Sequence, residues 1–318
     1  ESFPPGHLEA LGLGYADLAV LNPRLIVTSL TGFGQTGPYR DFATSDLVAL
    51  AMGGPMASTG YDDVPGSPPI RGTGYQGYHI GCHWGLIGTL MALCYRDVTG
   101  LGQHVDASIH EAVSCTTEAA MPYYLYLKQV PRRQTGRHHG VVPTPRNQLP
   151  TADGRLIMAW AVPRTPAHWR SLLEWMRQHG VGEDLDAEPY RAAFLSGVRT
   201  GAEVEHIYRR IAELVARLPA EEAYHGAQQR GYPWGLVRAP EETLEDPHLR
   251  DRGFFVEVEH PELGRRVTYP GAPYVFHGTP WRIRRRAPRL GEDNEAVYGG
   301  WLGLGREELT VLREGGAI

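Results

Sequence analysis

The stretch Arg24-Leu-Ile-Val-Thr-Ser-Leu30 is a short run of mostly apolar residues, and Gly32 follows it closely. Such a run lacks alternation of polar and apolar positions, which predicts a strand buried on both faces, as in a parallel sheet. Residues 81–95 place glycine and alanine all around an apolar helix, which predicts burial on several sides and close backbone contacts. Residues 103–108 predict a second strand. Strand, helix and strand in this order indicate the α/β class.

Short helices are predicted on both sides of this unit. Residues 8–20 have apolar side chains at helical spacing, but glycines interrupt them, which predicts two short helices. Residues 46–52 predict another helix, and the pair Gly53-Gly54 is its stop signal. A longer helix is predicted from about Ile109 to Leu127.

The second half of the chain is predicted to contain a connector, helices and strands. Residues 134–150 are polar and punctuated by glycine and proline, which predicts a connector. An acidic stretch around 184–187 is predicted to be irregular, and Leu236 to begin a return segment. The clearer periodicities predict a strand at 154–160, helices at 168–179 and 202–218, and a hairpin of 254–260 with 266–269.

The composition limits the classes of function. The chain has 318 residues and a formal net charge of −5, so no basic surface for nucleic acid is predicted. No apolar run is long enough to span a bilayer. Cys82, Cys94 and Cys115 lack the spacing of metal ligands, and their odd number argues against a disulfide framework. We therefore expect a cytoplasmic protein with no metal site and no membrane partner.

Four sets of motifs, in order along the chain, belong together. The first is Glu1-Ser-Phe-Pro-Pro-Gly6 with Leu11-Gly-Leu-Gly-Tyr15, and the second is Asn22-Pro-Arg-Leu-Ile26, Thr31-Gly-Phe-Gly-Gln-Thr-Gly-Pro-Tyr39 and Ala51-Met-Gly-Gly54. The others are Pro68-Pro-Ile-Arg-Gly72, Gly88-Thr-Leu-Met-Ala-Leu93 and Thr99-Gly-Leu-Gly-Gln-His-Val-Asp106, then Asp246-Pro-His-Leu-Arg250, Val256-Glu-Val-Glu-His-Pro261 and Ala287-Pro-Arg-Leu-Gly-Glu292. In this combination the chain resembles the class III CoA-transferase family (CaiB–BaiF type), which includes formyl-CoA transferases, carnitine CoA-transferases and α-methylacyl-CoA racemases.

The resemblance implies an open Rossmann-like large domain with a smaller inserted α/β domain. We accordingly expect a large domain at 1–135, a small domain with its linkers at 136–230, and a return to the large domain at 231–318. Family members form interlocked dimers, so a dimer is expected here as well. The family's opening strands and helices have no counterpart in these residues. This N-terminal segment is thus missing here, and because a sheet without it would expose unpaired edges, we expect the full protein or a partner chain to supply it.

The chemistry of the family depends on an aspartate that attacks an acyl-CoA thioester and so divides the exchange into covalent steps. The motif places this aspartate after a glycine, upstream of the glycine-rich helix. Counted back from Gly88, the matching glycine is Gly77 and the position of the aspartate holds Tyr78. A phenol, with an ordinary pKa of about 10, cannot form the acyl anhydride. Tyr78 is therefore expected to occupy the nucleophile position without acting as the nucleophile.

Two nearby carboxylates are alternatives. Asp62 and Asp63 precede the site, and no aspartate follows them before Asp97, so a shift in alignment does not restore the family's pattern. Their loop is flanked by glycine and proline, which favours a role in turn formation. A displaced nucleophile at either position is the less favoured interpretation.

The racemase branch of the family exchanges an α-proton between a histidine and an aspartate. The resemblance places that histidine at Ser45, next to Asp46, and that aspartate again at Tyr78, so neither base is present. His79 and His83 flank the site and are acid–base candidates, or they pack beside the glycine-rich helix. Ser45, Asp46 and His79 are the positions at which we expect contacts with substrate.

The resemblance also marks positions for binding CoA. The expected contacts are a hydroxyl, an aromatic ring and three glycines that permit close approach of a ligand: Ser2, Phe3, Gly53, Gly54 and Gly77. Ser2 replaces the family's usual asparagine, and Ala10 stands where some members have a phosphate-binding arginine. The segment Gly136-Arg-His-His-Gly140 is either a loop that covers the site or a plain linker.

These observations predict participation in CoA transfer from an acyl-CoA donor to a carboxylic acid acceptor. CoA and acyl-CoA are then substrates, and no cofactor is bound permanently. Three hypotheses remain open: an active transferase with atypical chemistry, a non-catalytic subunit paired with a paralogue that carries the aspartate, and an acyl-CoA racemase or isomerase. The expected assembly is a homodimer or a heterodimer with such a paralogous subunit.

Overall fold

The computed structural model describes residues 1–161 and 164–318. The chain forms two compact units, Glu1–Val237 and Arg238–Ile318. The first unit contains helices α1 (His7–Ala10), α2 (Tyr15–Leu21), α3 (Asp46–Met52), α4 (Gln76–Thr99), α5 (Ile109–Ser114), α6 (Ala120–Leu127), α7 (Pro166–Gln178), α8 (Glu188–Ser196), α9 (Ala202–Val215) and α10 (Ala220–Gln229). Its strands are β1 (Val27–Thr31), β2 (His104–Ser108), β3 (Arg132–Gln134), β4 (Arg137–Gly140), β5 (Gln148–Pro150), β6 (Leu156–Met158) and β7 (Gly235–Leu236).

The predicted strand–helix–strand unit is confirmed. β1 and β2 pair in parallel along their whole length, and α4 lies between them in the chain and packs on both. The glycines of α4 allow this close packing. A Cβ atom at Gly81 would lie 2.8 Å from Cγ1 of Ile109, and one at Gly88 would lie 2.9 Å from Cγ1 of Val105. The α/β class and the tight contacts of the helix therefore follow the sequence pattern.

The first strand begins later than predicted. Asn22 accepts hydrogen bonds from the main-chain N–H groups of Arg24 through its side chain (3.0 Å) and of Leu25 through its carbonyl (2.9 Å). These bonds close a turn, so Arg24 and Leu25 are not available to the ladder. β1 accordingly starts at Val27.

The single helix predicted from Ile109 to Leu127 is wrong, because the segment forms α5 and α6 with an interruption at 115–119. Hydroxyl groups explain the break. The side chains of Ser114, Thr116 and Thr117 donate to carbonyl oxygens three or four residues earlier, at 2.7–3.0 Å. Such bonds compete with helix propagation. Glu118 then adopts a left-handed backbone conformation (φ +50°), which cannot continue a helix.

Two separate hydrophobic cores lie in the first unit. The smaller core joins α3 and α5 through Ala49, Leu50, Ile109 and Val113. The larger core packs helices α7–α10 against the three-stranded sheet β5–β6–β7. The strand β7, at Gly235–Leu236, pairs with β6 in this sheet. The division into domains at 1–135, 136–230 and 231–318 stays a prediction.

The prediction of a connector at 134–150 is wrong in part, because the segment contains strands. β3 and β4 form a hairpin, and β5 joins the larger sheet. The side chain of Gln134 stabilises the hairpin loop: its Oε1 accepts from Arg137 (2.8 Å) and from the main-chain N–H of Thr144 (2.9 Å), while its Nε2 donates to the carbonyl of Val142 (2.9 Å). These polar residues are satisfied within the hairpin, a pairing that hydrophobic periodicity does not reveal.

Two helices were not predicted, α8 beside the acidic stretch and α10 further along the chain. Residues 183–186 form a 3-10 turn, and α8 follows directly, with Pro189 in its first turn. α10 follows Pro219, and its Gly226 packs against the ring of Trp175, where a Cβ atom would lie at 2.7 Å. Proline suits the start of a helix, whereas a glycine within a helix disfavours it, and at Gly226 tertiary packing overrides that preference.

The second unit contains the predicted hairpin. Strands β8 (Phe255–His260) and β9 (Arg265–Pro270) pair antiparallel. This unit also contains α11 (Pro247–Asp251), a π-helical turn at Glu295–Trp301, α12 (Arg306–Glu314) and 3-10 turns at Pro240–Glu245 and Pro261–Leu263. Arg286 is not a freely solvated arginine, since it pairs with Glu262 (2.8 Å) and Glu292 (2.7 Å). The Arg286 hydrogen bond lowers the pKa of Glu292 to about 2.

Candidate active-site cleft

A cleft of about 610 Å³ lies at the carboxyl end of β1. It is lined by the N-terminal residues, by the end of β1, by the segment 40–44 and by the first turns of α4. Ligands of α/β proteins bind at the carboxyl ends of parallel strands, because the connections there leave a crevice. Three of the predicted site residues, Ser2, Phe3 and Tyr78, line this cleft together.

Tyr78 lies in the first turn of α4 and is half-buried. One side of it packs against the smaller core, and its ring stacks on Tyr75 with centroids 6.1 Å apart and planes at 4°. Cys82, one helical turn further along, lines the same cleft. The phenol of Tyr78 therefore faces a ligand-sized space, and its match to the family's nucleophile position stays a prediction.

Asp46 holds the first turn of α4, which carries Tyr78. Its side chain is 2% exposed, and its Oδ1 accepts from the main-chain N–H groups of Gly77 (2.8 Å) and Tyr78 (3.3 Å). Arg71 lies 3.6 Å from its Oδ2. The carboxylate thus caps the N-terminus of α4, where the helix dipole favours negative charge. Asp46 does not line the cleft, so the structure gives it a positioning role.

Ser45 and His79 also point elsewhere. Ser45 caps α3 by accepting from the main-chain N–H of Val48 (3.3 Å) and is not among the residues lining the cleft. His79 is exposed and does not line the cleft either. It follows Tyr78 on the helix and is rotated by about 100° around the axis. The structure therefore does not bring Ser45, Asp46, Tyr78 and His79 to one space.

The three predicted CoA-binding glycines have packing roles. A Cβ atom at Gly53 would lie 2.5 Å from Cγ1 of Val113, and one at Gly77 would lie 3.2 Å from Oδ1 of Asp46. Gly54 adopts a left-handed conformation (φ +104°), which ends the segment after α3. None of the three lines the cleft with Phe3. Their contact with CoA stays a prediction.

The carboxylates of Asp62 and Asp63 fasten their loop to the β3–β4 hairpin. Asp62 accepts from the main-chain N–H of Thr135 (2.8 Å) and pairs with Arg137 (3.1 Å), and Asp63 binds the hydroxyl of Thr135 and Arg146. Hydrogen bonds from Thr135 lower the pKa of both carboxyl groups. Neither lines the Tyr78 cleft, which supports their role in the loop.

The cleft also contains groups that the sequence did not identify. Arg40 and Asp41 lie on its wall and pair with each other at 3.2 Å. Thr31 lines it too, and no donor or acceptor among the described residues contacts its buried Oγ1. The sequence signal for this segment was its place directly after the glycine-rich motif that follows β1. Asp41 is thus a carboxylate in the cleft that comes from a different segment than Tyr78.

One side-chain cluster has the composition of a metal site. Glu118, His138 and His139 hold their potential ligand atoms within 4.8 Å of one another. Glu118 already contacts His138 at 2.6 Å, and burial lowers the pKa of His139, which favours its neutral form.

The predicted loop 136–140 is strand β4 and its turn. Cys82, Cys94 and Cys115 are unpaired. No helix of the described residues has both the length and the hydropathy of a membrane span.

Comparison with known proteins agrees with the fold. The family model described as CoA-transferase family III matches residues 1–294. The succinyl-CoA–D-citramalate CoA-transferase of Chloroflexus aurantiacus is 32% identical over 98% of this chain and 74% of its own length. A subunit of the succinyl-CoA:(R)-benzylsuccinate CoA-transferase of Thauera aromatica is 32% identical over 93% and 70%. The crystal structure of a CaiB/BaiF family protein from Brucella suis superposes with a TM-score of 0.75 at 24% identity, covering 94% of this chain and 74% of that one. The chain therefore belongs to CoA-transferase family III.

Proposed function

We propose that this chain takes part in moving CoA between an acyl-CoA donor and a carboxylic acid acceptor. The observation that carries the proposal is the cleft at the end of β1, where Tyr78, which the resemblance aligns with the nucleophile, lies beside Ser2 and Phe3. Its volume of about 610 Å³ is in the range of small-molecule sites. CoA and acyl-CoA bind as substrates and not as resident cofactors.

The chain acts as a non-catalytic subunit in this proposal. In the transfer reaction, a carboxylate oxygen attacks the thioester carbonyl and releases CoA thiolate, and the thiolate then attacks the enzyme's acyl carbon and releases the donor acid. Tyr78 has no carbonyl carbon on which CoA can be held. The carboxylate is therefore supplied by a partner chain that carries aspartate at this position. The Thauera relative is itself named as a subunit, which supports this arrangement.

An apolar face of α4 supports the presence of a partner. Trp84, Ile87 and Met91 are 50%, 46% and 69% exposed, at spacings that place them on one side of the helix. Large exposed apolar patches mark interaction sites. The proposed occupant is a second family chain, identical or paralogous, in the interlocked dimer that the resemblance implies. Changing Trp84→Glu should shift the molecular mass measured by light scattering towards the monomer. The control Leu263→Glu, an exposed leucine of the second unit, should not.

An active transferase with a displaced nucleophile is the second candidate. The specific observation in its favour is Asp41, whose carboxylate lines the same cleft as Tyr78. Asp41 is 70% exposed at its side chain, and among the described residues only its neighbour Arg40 binds it, so no described residue further along the chain holds it against an incoming thioester. The racemase hypothesis has less support, because His79 does not line the cleft and Asp46 is engaged in capping α4.

Purification of the chain alone, and together with a paralogue that carries Gly-Asp at the aligned site, tests the proposal. CoA exchange is followed between an acyl-CoA and a free acid, with hydroxylamine to trap the enzyme-bound thioester. We expect exchange only from the co-expressed pair. Exchange by the isolated chain would refute the non-catalytic assignment. Its loss in Asp41→Asn, with Tyr78→Phe unaffected, would identify the second candidate instead.

A further inference from the structure

A second, smaller cleft of about 50 Å³ lies in the first unit. Five separate segments bring polar side chains to it: His139 on β4, Asn147 before β5, Arg164 before α7, Arg199 between α8 and α9, and Tyr208 on α9. None of these residues belongs to the Tyr78 cleft. Their convergence from distant parts of the chain gives this cleft a defined set of donors.

The charges around this cleft are unbalanced. Arg164 donates to the carbonyls of Gly197 (2.5 Å) and Ala161 (3.3 Å), and neither Arg164 nor Arg199 forms an ion pair with any described residue. None of the described residues that line the cleft is a carboxylate. Two guanidinium groups beside a partly enclosed space favour an anion with planar oxygens, because their N–H groups match carboxylate geometry.

A buried acceptor adds a second requirement. Asn147 is 6% exposed, and no donor among the described residues reaches its buried Oδ1. An unsatisfied buried acceptor of this kind is destabilising unless a ligand or water donates to it. Tyr208 accepts from the main-chain N–H of Ala161 (3.3 Å), which leaves its hydroxyl proton available. The cleft therefore offers several donors for an anion and one acceptor for an adjacent O–H group.

We propose that this cleft binds a hydroxycarboxylate. Arg164 and Arg199 hold the carboxylate, and the neighbouring hydroxyl of the ligand donates to Oδ1 of Asn147. A space of about 50 Å³ accommodates a carboxylate and the adjoining hydroxyl, and the rest of the ligand extends outwards. The proposal goes beyond CoA transfer and does not depend on it, since no residue of the Tyr78 cleft takes part.

Calorimetric titration of the chain with L-malate and with succinate, which lacks only the hydroxyl, tests the proposal. We expect L-malate to bind about tenfold more tightly than succinate. Arg199→Gln should weaken both ligands by about tenfold or more, because it removes a charge-assisted hydrogen bond. Arg209→Gln, an exposed arginine of α9 that does not line the cleft, is the matched control and should leave both affinities unchanged.

Asn147→Ala tests the acceptor for the ligand hydroxyl separately from the arginines that hold the carboxylate. It should bring the affinity for L-malate down to that for succinate and leave succinate unaffected. Equal binding of the two acids by the unmodified chain would overturn the assignment, as would unchanged binding in Arg199→Gln. Inorganic phosphate that binds as tightly as L-malate would also overturn it, because a phosphate site would then explain the cleft. Arg164 also bonds carbonyl groups, whereas Arg199 bonds no carbonyl group of a described residue, so Arg199 is the variant that keeps the test independent of folding. The calorimetric titration does not measure CoA exchange, so the absence of L-malate binding would not contradict the proposal of CoA transfer.

Discussion

Replacing Asp46 should open the first turn of α4 and disturb the Tyr78 cleft without changing any residue that lines it. Oδ1 of this carboxylate accepts one bond of 2.8 Å and one of 3.3 Å from main-chain N–H groups. A hydrogen bond to a charged group contributes about 1.5–3 kcal/mol, and a charge at a helix N-terminus adds about 0.3–1 kcal/mol. Removing a carboxylate that is only 2% exposed also relieves its desolvation, which offsets part of the loss.

The net cost of Asp46→Ala is therefore about 2–4 kcal/mol, since the N–H of Gly77 is left buried without an acceptor. Asp46→Asn keeps an oxygen in place and loses only the charge, which predicts about 1–2 kcal/mol. The cost of Asp46→Asn measures the contribution of the charge, and the additional cost of Asp46→Ala measures that of the acceptor oxygen.

Hydrogen exchange of the peptide that covers 76–80 measures this cost locally. A global unfolding curve would mix the two units of the chain. For Asp46→Ala we expect faster exchange by about 30-fold to several hundred-fold, and for Asp46→Asn by about 5-fold to 30-fold. Asp41→Ala is the control, because this aspartate is exposed and, in the part of the chain that the structure describes, pairs with Arg40 alone. Exchange in Asp46→Ala within twofold of the unmodified chain would refute the capping role.

Three further predictions concern the nucleophile position, the small core and the second unit. Tyr78→Asp should restore a carboxylate in the cleft and give a hydroxylamine-sensitive adduct with acyl-CoA, detected by intact-protein mass spectrometry; Tyr78→Asn should give none, and an adduct with both would mean that another residue reacts. Gly53→Ala should lower the local free energy of opening by about 1–3 kcal/mol, because its Cβ would lie 2.5 Å from Val113, whereas Gly235→Ala, with open space around it, should cost less. Hydrogen exchange of the peptide around each position measures both costs, and equal costs would contradict the packing role. Glu292 has its pKa lowered from the ordinary 4.5 to about 2, so its pairing with Arg286 stabilises the folded chain above pH 4.5. This contribution is lost as the pH falls towards about 2. Glu292→Gln should therefore make the second unit less sensitive to acid over that range, and an unchanged acid-unfolding curve would count against the pair.

The α/β centre of the chain could be predicted from the sequence because its signals are local. The apolar run after Arg24 and the glycines of α4 each specify burial and close packing through their own composition. The hairpin around Gly264 could also be predicted from the sequence, since two strand-like segments flank a turn. The β3–β4 hairpin was not, because its stability comes from the side-chain bonds of Gln134, which depend on residues that only the fold brings near.

The cleft was predicted in part for a similar reason. Motif spacing located Tyr78 and Phe3, and both line the cleft. Asp46, by contrast, was expected at the substrate, whereas the structure uses it to hold the start of α4. A buried carboxylate that binds main-chain N–H groups carries no distinguishing pattern in the sequence. Asp41 was missed because its contribution depends on how the segment 40–44 folds over the end of β1.

The main-chain contacts of Asp46 have a consequence for how such a chain diverges. Gly77 and Tyr78 are fixed through their N–H groups, which every residue except proline possesses. These main-chain bonds at position 78 therefore do not depend on which side chain the residue carries. A lineage can exchange the reactive group at position 78 and keep the surrounding backbone, so loss of catalysis and loss of architecture are separate evolutionary events. The same independence makes position 78 a natural starting point for installing new chemistry by saturation mutagenesis.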